Sequence, residues 1–169
     1  MNQFFGAAWA LALIALASSP AAAVSPSNGQ AQANAKIYKP LALSKVQNLD
    51  FGVIVEGPGV WAGEVVSISQ AGVLTCGGGT NLTCSGSPQP AKYHLSGTNN
   101  AVATVSCPGF NLTGPGTLVF TPNAPATVNL GPSGLATGVD FSIGGSITIA
   151  STTPDGVYTG TFAVTADYQ

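Results

Sequence analysis

Charge is the scarcest property of this chain. Only 6% of its 169 residues are charged, arginine is absent, and the four lysines (Lys36, Lys39, Lys45 and Lys92) all lie before residue 93. A protein that neutralises nucleic-acid phosphates needs a basic patch, so nucleic acid is excluded as a partner class. Histidine is nearly missing too. His94 alternates with Lys92 in AKYHLSG, which reads as a sheet-surface imidazole rather than a base or ligand. One histidine makes no typical zinc site without cysteines, and the three cysteines lack CxxC spacing. The six carboxylates (Asp50, Glu56, Glu64, Asp140, Asp155, Asp167) contain no close pair in sequence, as a glycosidase-like site would more readily supply. Asp50-Phe51-Gly52 matches three letters of a kinase motif with none of its companions, and neither GPGVWAG nor CGGGT has dinucleotide or P-loop spacing. No G-x-S-x-G occurs. The inventory points away from an enzyme and implies no cofactor.

Helical periodicity is missing after the first two dozen residues. FFGAAWALALIALA, residues 4–17, has the length of a signal-peptide apolar region, and SSPAAA supplies small residues at Ala21 and Ala23 for cleavage. A membrane anchor is the rival reading, but a span needs roughly 20 apolar residues and no later segment has that length. Residues 1–23 are therefore expected to be a signal peptide and the protein exported. Taking 23 from 169 leaves 146 residues, which suits one domain.

What is abundant is turn and strand chemistry: 22 glycines and 12 prolines among many Thr, Val and Ser. Ala31, Ala33, Ala35, Ile37, Leu41 and Leu43 share a face in AQANAKIYKPLAL, after the polar leader SPSNGQ. LDFGVIV, EVVSISQ, AKYHLSG, AVATVSC, TLVFTP, ATVNL, VDFSI and SITIA follow, each bounded by Gly, Pro or Asn. The pattern predicts nine or ten short strands in an all-β sandwich, with reversals at GPSGLATG, at Gly144-Gly145 and at PDG before the last strand. Trp61, in a Gly/Pro turn, is read as a rim residue capping the core, with a sugar-binding aromatic as the alternative. Asn81-Leu82-Thr83 and Asn111-Leu112-Thr113 fit the N-glycosylation pattern, which matters only in a host with that machinery.

Export makes a disulfide the default. In TCGGGTNLTC a bridge between Cys76 and Cys84 across the glycine-rich loop is expected, with either one pairing to Cys107 as the alternative. The remaining thiol is then buried or forms an intermolecular bridge.

GVYTGTFAVTADYQ, residues 156–169, alternates with period two: Tyr158, Gly160, Phe162, Val164, Ala166 and Tyr168 on one face, threonines and Asp167 mainly on the other. Segments LDFG, GEVVSI, AKYHLSG, FSIGGSITIA and PDGVYTGTFAVTADY resemble the domain-of-unknown-function 4402 family of exported bacterial proteins, over nearly the whole mature chain. The cysteines depart from that family's pattern. The ending also resembles chaperone–usher pilus subunits, which carry a penultimate tyrosine and a glycine fourteen residues from the end; here these are Tyr168 and Gly156. That resemblance implies an immunoglobulin-like (pilin-like) sandwich lacking a closing strand. It further implies a periplasmic chaperone and an outer-membrane usher as partners, and self-association or association with related subunits. Localisation is then the periplasm in transit and the cell surface or medium at the end. The expected organisation is signal peptide 1–23, N-terminal extension or donor strand 24–43, and sandwich 44–169. In it, Ala31, Ala33, Ala35, Ile37, Leu41 and Leu43 form the donor face, and Gly156, Tyr158, Phe162, Val164 and Tyr168 belong to a C-terminal assembly strand. A structural filament subunit is the expected function; a monomeric recognition domain, binding carbohydrate or protein through loops such as GPGVWAG, is the alternative.

Overall fold

A computed structural model of the chain describes residues 28–169. The expected signal peptide lies outside the described residues. Asn28–Ala35 are exposed and form no regular secondary structure. Lys36–Gln169 form a separate compact unit that is all-β: among the described residues there are twelve strands and no helix.

The strands are β1 (Ala42–Gln47), β2 (Val53–Glu56), β3 (Glu64–Ile68), β4 (Leu74–Cys76), β5 (Leu82–Ser85), β6 (Ala91–Ser96), β7 (Val102–Ser106), β8 (Phe110–Thr113), β9 (Thr117–Asn123), β10 (Thr127–Asn129), β11 (Val139–Ile149) and β12 (Thr165–Tyr168). A seven-stranded antiparallel sheet runs β1-β6-β11-β3-β4, with β9 also paired to β11 and β8 to β9. A three-stranded sheet, β10-β7-β12, and a two-stranded ribbon, β2-β5, complete the sandwich. Alternation sets the faces, as period two requires: Ala91, Tyr93 and Leu95 of β6 and Phe141, Ile143, Ile147 and Ile149 of β11 are buried. Two core clusters result. One contains Tyr93, Leu95, Ala103, Val128, Leu130, Phe141 and Ile143; the other contains Phe51, Val66, Ile68, Leu118, Phe120, Ile147 and Ile149.

Three expectations are corrected. VDFSI and SITIA are one strand, and Gly144-Gly145 is no reversal. At this pair β11 changes partners: residues 139–143 pair with β6, and residues from Gly144 or Gly145 onward pair with β9 and β3. The glycines are needed because neighbours come too close for a side chain. A Cβ on Gly145 would overlap the Phe120 ring, and one on Gly144 the Ile68 carbonyl. Second, AQANAKIYKPLAL is not a strand; only its last two residues enter β1, which pairs with β6 at the sheet edge. Pro40 supplies no N–H, and the Lys39 N–H bonds to the Thr98 side chain instead. Third, the final strand is short. Residues 156–164 stay outside regular strands apart from a two-bond bridge between Thr113 and Thr159, and only Thr165–Tyr168 pair, with β7. β4, β5 and β8 are not among the strands expected from the sequence.

Candidate functional site

An open groove of about 1190 Å³ lies in the Lys36–Gln169 unit. Its floor comes from inward positions of four strands: Tyr93 of β6, Phe110 and Leu112 of β8, Phe120 of β9, and Ile147 and Ile149 of β11. Residues 49–56, including β2, make one wall, and residues 153–162 make the other. Both walls have unpaired backbone. β2 pairs only with β5, so its second edge is free. Between the Thr159 bridge and β12, residues 160–164 belong to no strand. Unpaired N–H and C=O groups beside an apolar floor are a template for an added strand.

The walls are positioned by specific local chemistry. Asp50 pairs with Gln89 through two backbone bonds, and its carboxylate accepts the N–H of Gly52 at 2.8 Å. Gly52 takes φ +75°, a left-handed conformation that suits glycine, and a Cβ there would overlap the Ser85 carbonyl. The disulfide joins Cys76 to Cys84. Because Cys76 is in β4 and Cys84 in β5, the bridge fastens the β2-β5 ribbon to the large sheet. Inside the loop, Asn81 Nδ2 donates to Glu64 Oε1 at 2.6 Å. On the opposite wall, Tyr158 Oη donates to the Pro154 carbonyl at 2.7 Å, and Gly156 adopts φ +143° against Pro115. Phe162 closes this wall, stacking on Phe110 at 5.2 Å and Phe120 at 5.8 Å and meeting Tyr93 edge-on at 6.4 Å.

The C-terminal residues singled out from the sequence keep the predicted alternation: Tyr158, Phe162, Val164 and Tyr168 are half-buried, while Thr161 and Thr165 are exposed. Gly156 is an exposed turn residue rather than part of a strand. Tyr168 reaches the far end of the sandwich. Its hydroxyl accepts the Thr98 N–H at 2.7 Å and donates to the Lys39 carbonyl at 2.6 Å, and its ring stacks on Tyr38 at 4.3 Å. The donor-face residues divide. Leu41 and Leu43 pack on the first core cluster of their own chain, so they are not available to a neighbour. Ala31, Ala33 and Ala35 are exposed, and Ile37 is 88% exposed. Sequence reasoning missed Tyr38 and Thr98, whose roles depend on contacts 130 and 70 residues away in the chain.

Elsewhere, Cys107 is the free thiol; it is half-buried beside the first cluster, and burial pushes its pKa up. Burial also raises Tyr93, helped by nearby Cys107. His94 Nδ1 lies 2.6 Å from Asp140 Oδ1 on the outer sheet face. Trp61 packs against the second cluster. Among the described residues no three His, Cys, Asp or Glu side chains stand close enough to hold a metal.

The chain belongs to the family described as Domain of unknown function (DUF4402), whose model matches residues 41–168. Comparison with curated proteins and with solved structures returns no match.

Proposed function

We propose that this protein is a non-enzymatic structural subunit of a surface filament, exported and assembled by β-strand donation. The observation that carries the reading is the apolar groove between two walls of unpaired backbone, in a chain that also presents an exposed strand-like arm, Ala31–Ile37. Three features fit the arm to the groove of a second copy. Small alanines alternate with polar residues up to one large apolar residue, Ile37, over a floor already filled by aromatic rings. Lys36 sits beside Ile37, and the groove carries Asp50, Glu56 and Asp155 against a single Lys45. Finally, Tyr38 is stacked on Tyr168. The segment from Lys39 to Lys45 separates that anchor from the nearest groove residue, so Ile37 stays at the far end of its own sandwich. The cross-sheet disulfide accords with export to an oxidising compartment.

Magnitudes support a lasting but not automatic union. Burying Ile37 yields about 2–3 kcal/mol and each alanine methyl about 0.8. About six new backbone bonds at roughly 0.5–1.5 kcal/mol each add a similar amount. The sum is of the same size as the roughly 4–15 kcal/mol cost of association, so losing Ile37, the largest single side-chain contribution, shifts the balance toward separation. Replacing Ile37 by Asp is therefore expected to abolish multimers while leaving the melting temperature of the monomer unchanged, since Ile37 packs on nothing in its own chain. Sedimentation velocity and calorimetry read the two effects. Multimers that survive Ile37→Asp, or a wild-type chain that never exceeds monomer mass, would overturn the proposal.

A further inference from the structure

The arm leaves its own sandwich without a linker. Tyr38 is held there by its stack on Tyr168 at 4.3 Å, while Lys39 donates its N–H to Thr98 Oγ1 and accepts the Tyr168 hydroxyl at its carbonyl. Ile37, the one large apolar residue of the arm, is the next residue back, about 3.8 Å away from Cα to Cα. β11 locates the two ends of the unit. Its first residue, Val139, pairs with Leu95, beside the turn at residues 97–100. That turn is tied to the 131–138 loop by the Gly97 N–H on the Gly134 carbonyl and the Leu135 N–H on Asn99 Oδ1. This far end also holds Tyr38 and Lys39. Just beyond Ile149, the last residue of β11, Ser151 exchanges two hydrogen bonds with Trp61 of GPGVWAG, and residues 153–158 form the end of one groove wall. The groove therefore runs to the end opposite the one from which the arm departs.

We propose that these two ends meet in the assembled protein: the far end of one copy packs directly on the groove end of the copy that receives its arm. This contact rests on strand donation as the mode of assembly and adds a second, head-to-tail interface to it. Chain length selects the occupant. With Ile37 on the groove floor of a neighbour and Tyr38 still on its own Tyr168, no slack remains between the two bodies. Residues 97–100 and 131–137 of the donor then come against residues 151–158 and GPGVWAG of the acceptor. The two surfaces match in character. At the donor end Lys39 and Lys36, whose ammonium lies 4.8 Å over the Tyr38 ring, are exposed, and Leu135 is 53% exposed. At the acceptor end Glu56 and Asp155 are exposed, with Val157 79% and Val60 97% exposed. Bases facing acids fix the orientation, and the valines receive Leu135. Because the arm already tethers the copies, the end contact needs no affinity of its own to form. A head-to-tail contact repeats from copy to copy, so the product is a stiff filament. Its repeat is set by the sandwich: about 33 Å along β11 at about 3.3 Å per residue, plus the loops at either end.

The test inserts Gly-Ser-Gly-Ser between Ile37 and Tyr38 of the mature chain, with calorimetry checking that the melting temperature is unchanged. The arm can still be donated, so multimers should persist. Electron micrographs should show a repeat longer by up to about 14 Å, at about 3.3–3.6 Å per added residue, and a broader spread of angles between adjacent copies. Exchange of isotope-labelled copies, followed by native mass spectrometry, should become about tenfold faster, since a lost interface contact acts mainly on dissociation. Leu135→Asp keeps the backbone bond to Asn99 and should speed exchange by a similar factor in the parent chain. In the chain with the insert, where the ends no longer meet, it should change nothing. Multimers whose repeat, angular spread and exchange rate ignore the insert, or Leu135→Asp acting equally in both chains, would overturn the end contact while leaving strand donation standing. A parent chain that stays monomeric overturns strand donation, and the end contact with it.

Discussion

Tyr168→Phe removes one oxygen and tests how the two ends of the compact unit are joined. The hydroxyl makes two backbone bonds, from the Thr98 N–H at 2.7 Å and to the Lys39 carbonyl at 2.6 Å. A third bond, Lys39 N–H to Thr98 Oγ1 at 2.7 Å, closes the cluster. Each bond contributes about 0.5–1.5 kcal/mol net, and leaving a part-buried donor unpaired costs more than removing both partners. Lys39 is exposed and its carbonyl can turn to water, whereas Thr98 is half-buried. The expected loss is about 1–2 kcal/mol, or about 3–8 °C in melting temperature for a domain of this size. The phenyl ring can still stack on Tyr38, so Tyr168→Ala should cost more. Hydrogen exchange should show faster exchange at Thr98 and Lys39 with little change at Ile143, which is fully buried. If Tyr168→Phe keeps full stability and Thr98 stays protected, the hydroxyl is not what anchors the arm, and Ile37 is not held away from its own groove by this cluster.

Cys76→Ser with Cys84→Ser should lower stability by about 2–3 kcal/mol, the chain-entropy value for a bridge separated by eight residues, and non-reducing peptide maps should recover the Cys76–Cys84 pair. Denaturant melts measure the loss; a main species linking either residue to Cys107 would refute the assignment. Gly145→Val places a side chain where the Phe120 ring lies and should cost about 1–3 kcal/mol by overpacking, read as a lower denaturation midpoint. Cys107 has a folded pKa raised by burial, so its contribution is fully present below the ordinary thiol value of about 8.5 and is lost as pH rises through the higher folded value. Stability should therefore fall across this alkaline window in wild type and less in Cys107→Ala; identical pH profiles would show that the thiol is not buried enough to matter.

The sequence made the sandwich legible because period-two alternation survives wherever one face is buried, as in AKYHLSG and TLVFTP, which became β6 and β9. It also gave the disulfide, since a short glycine-rich loop lets two cysteines meet. The groove was not legible. Its walls are defined by partners that are missing, and a sequence pattern reports which side chains face a core, not whether a backbone edge is paired. Leu41 and Leu43 show the same limit: their alternation with Ala31–Ile37 is real, but past the break at Pro40 only Leu41 and Leu43 pack on the core, while Ala31–Ile37 stay exposed. Gly144-Gly145 misled for a related reason. Glycine marks a turn or a close backbone approach equally well, and only the packing of Phe120 distinguishes them.

The edges elsewhere in the sandwich sharpen the case for the groove. β4 is three residues long and ends at the disulfide, and β10 is equally short and lies just beyond Pro125. β1 carries Lys45 and an irregular register between Lys45 and Gln47, and β12 carries Asp167 beside its half-buried positions. Short length, proline, a bulge and a charge are the devices that stop one sheet edge from capturing another. A chain with so few charges uses them at these borders. The stretch from Gly160 to Val164 has none of them: it is uncharged, lacks proline, alternates like a strand and lies next to the aromatic floor. An uncharged, proline-free stretch of this kind beside an apolar floor is what the proposed strand donation requires.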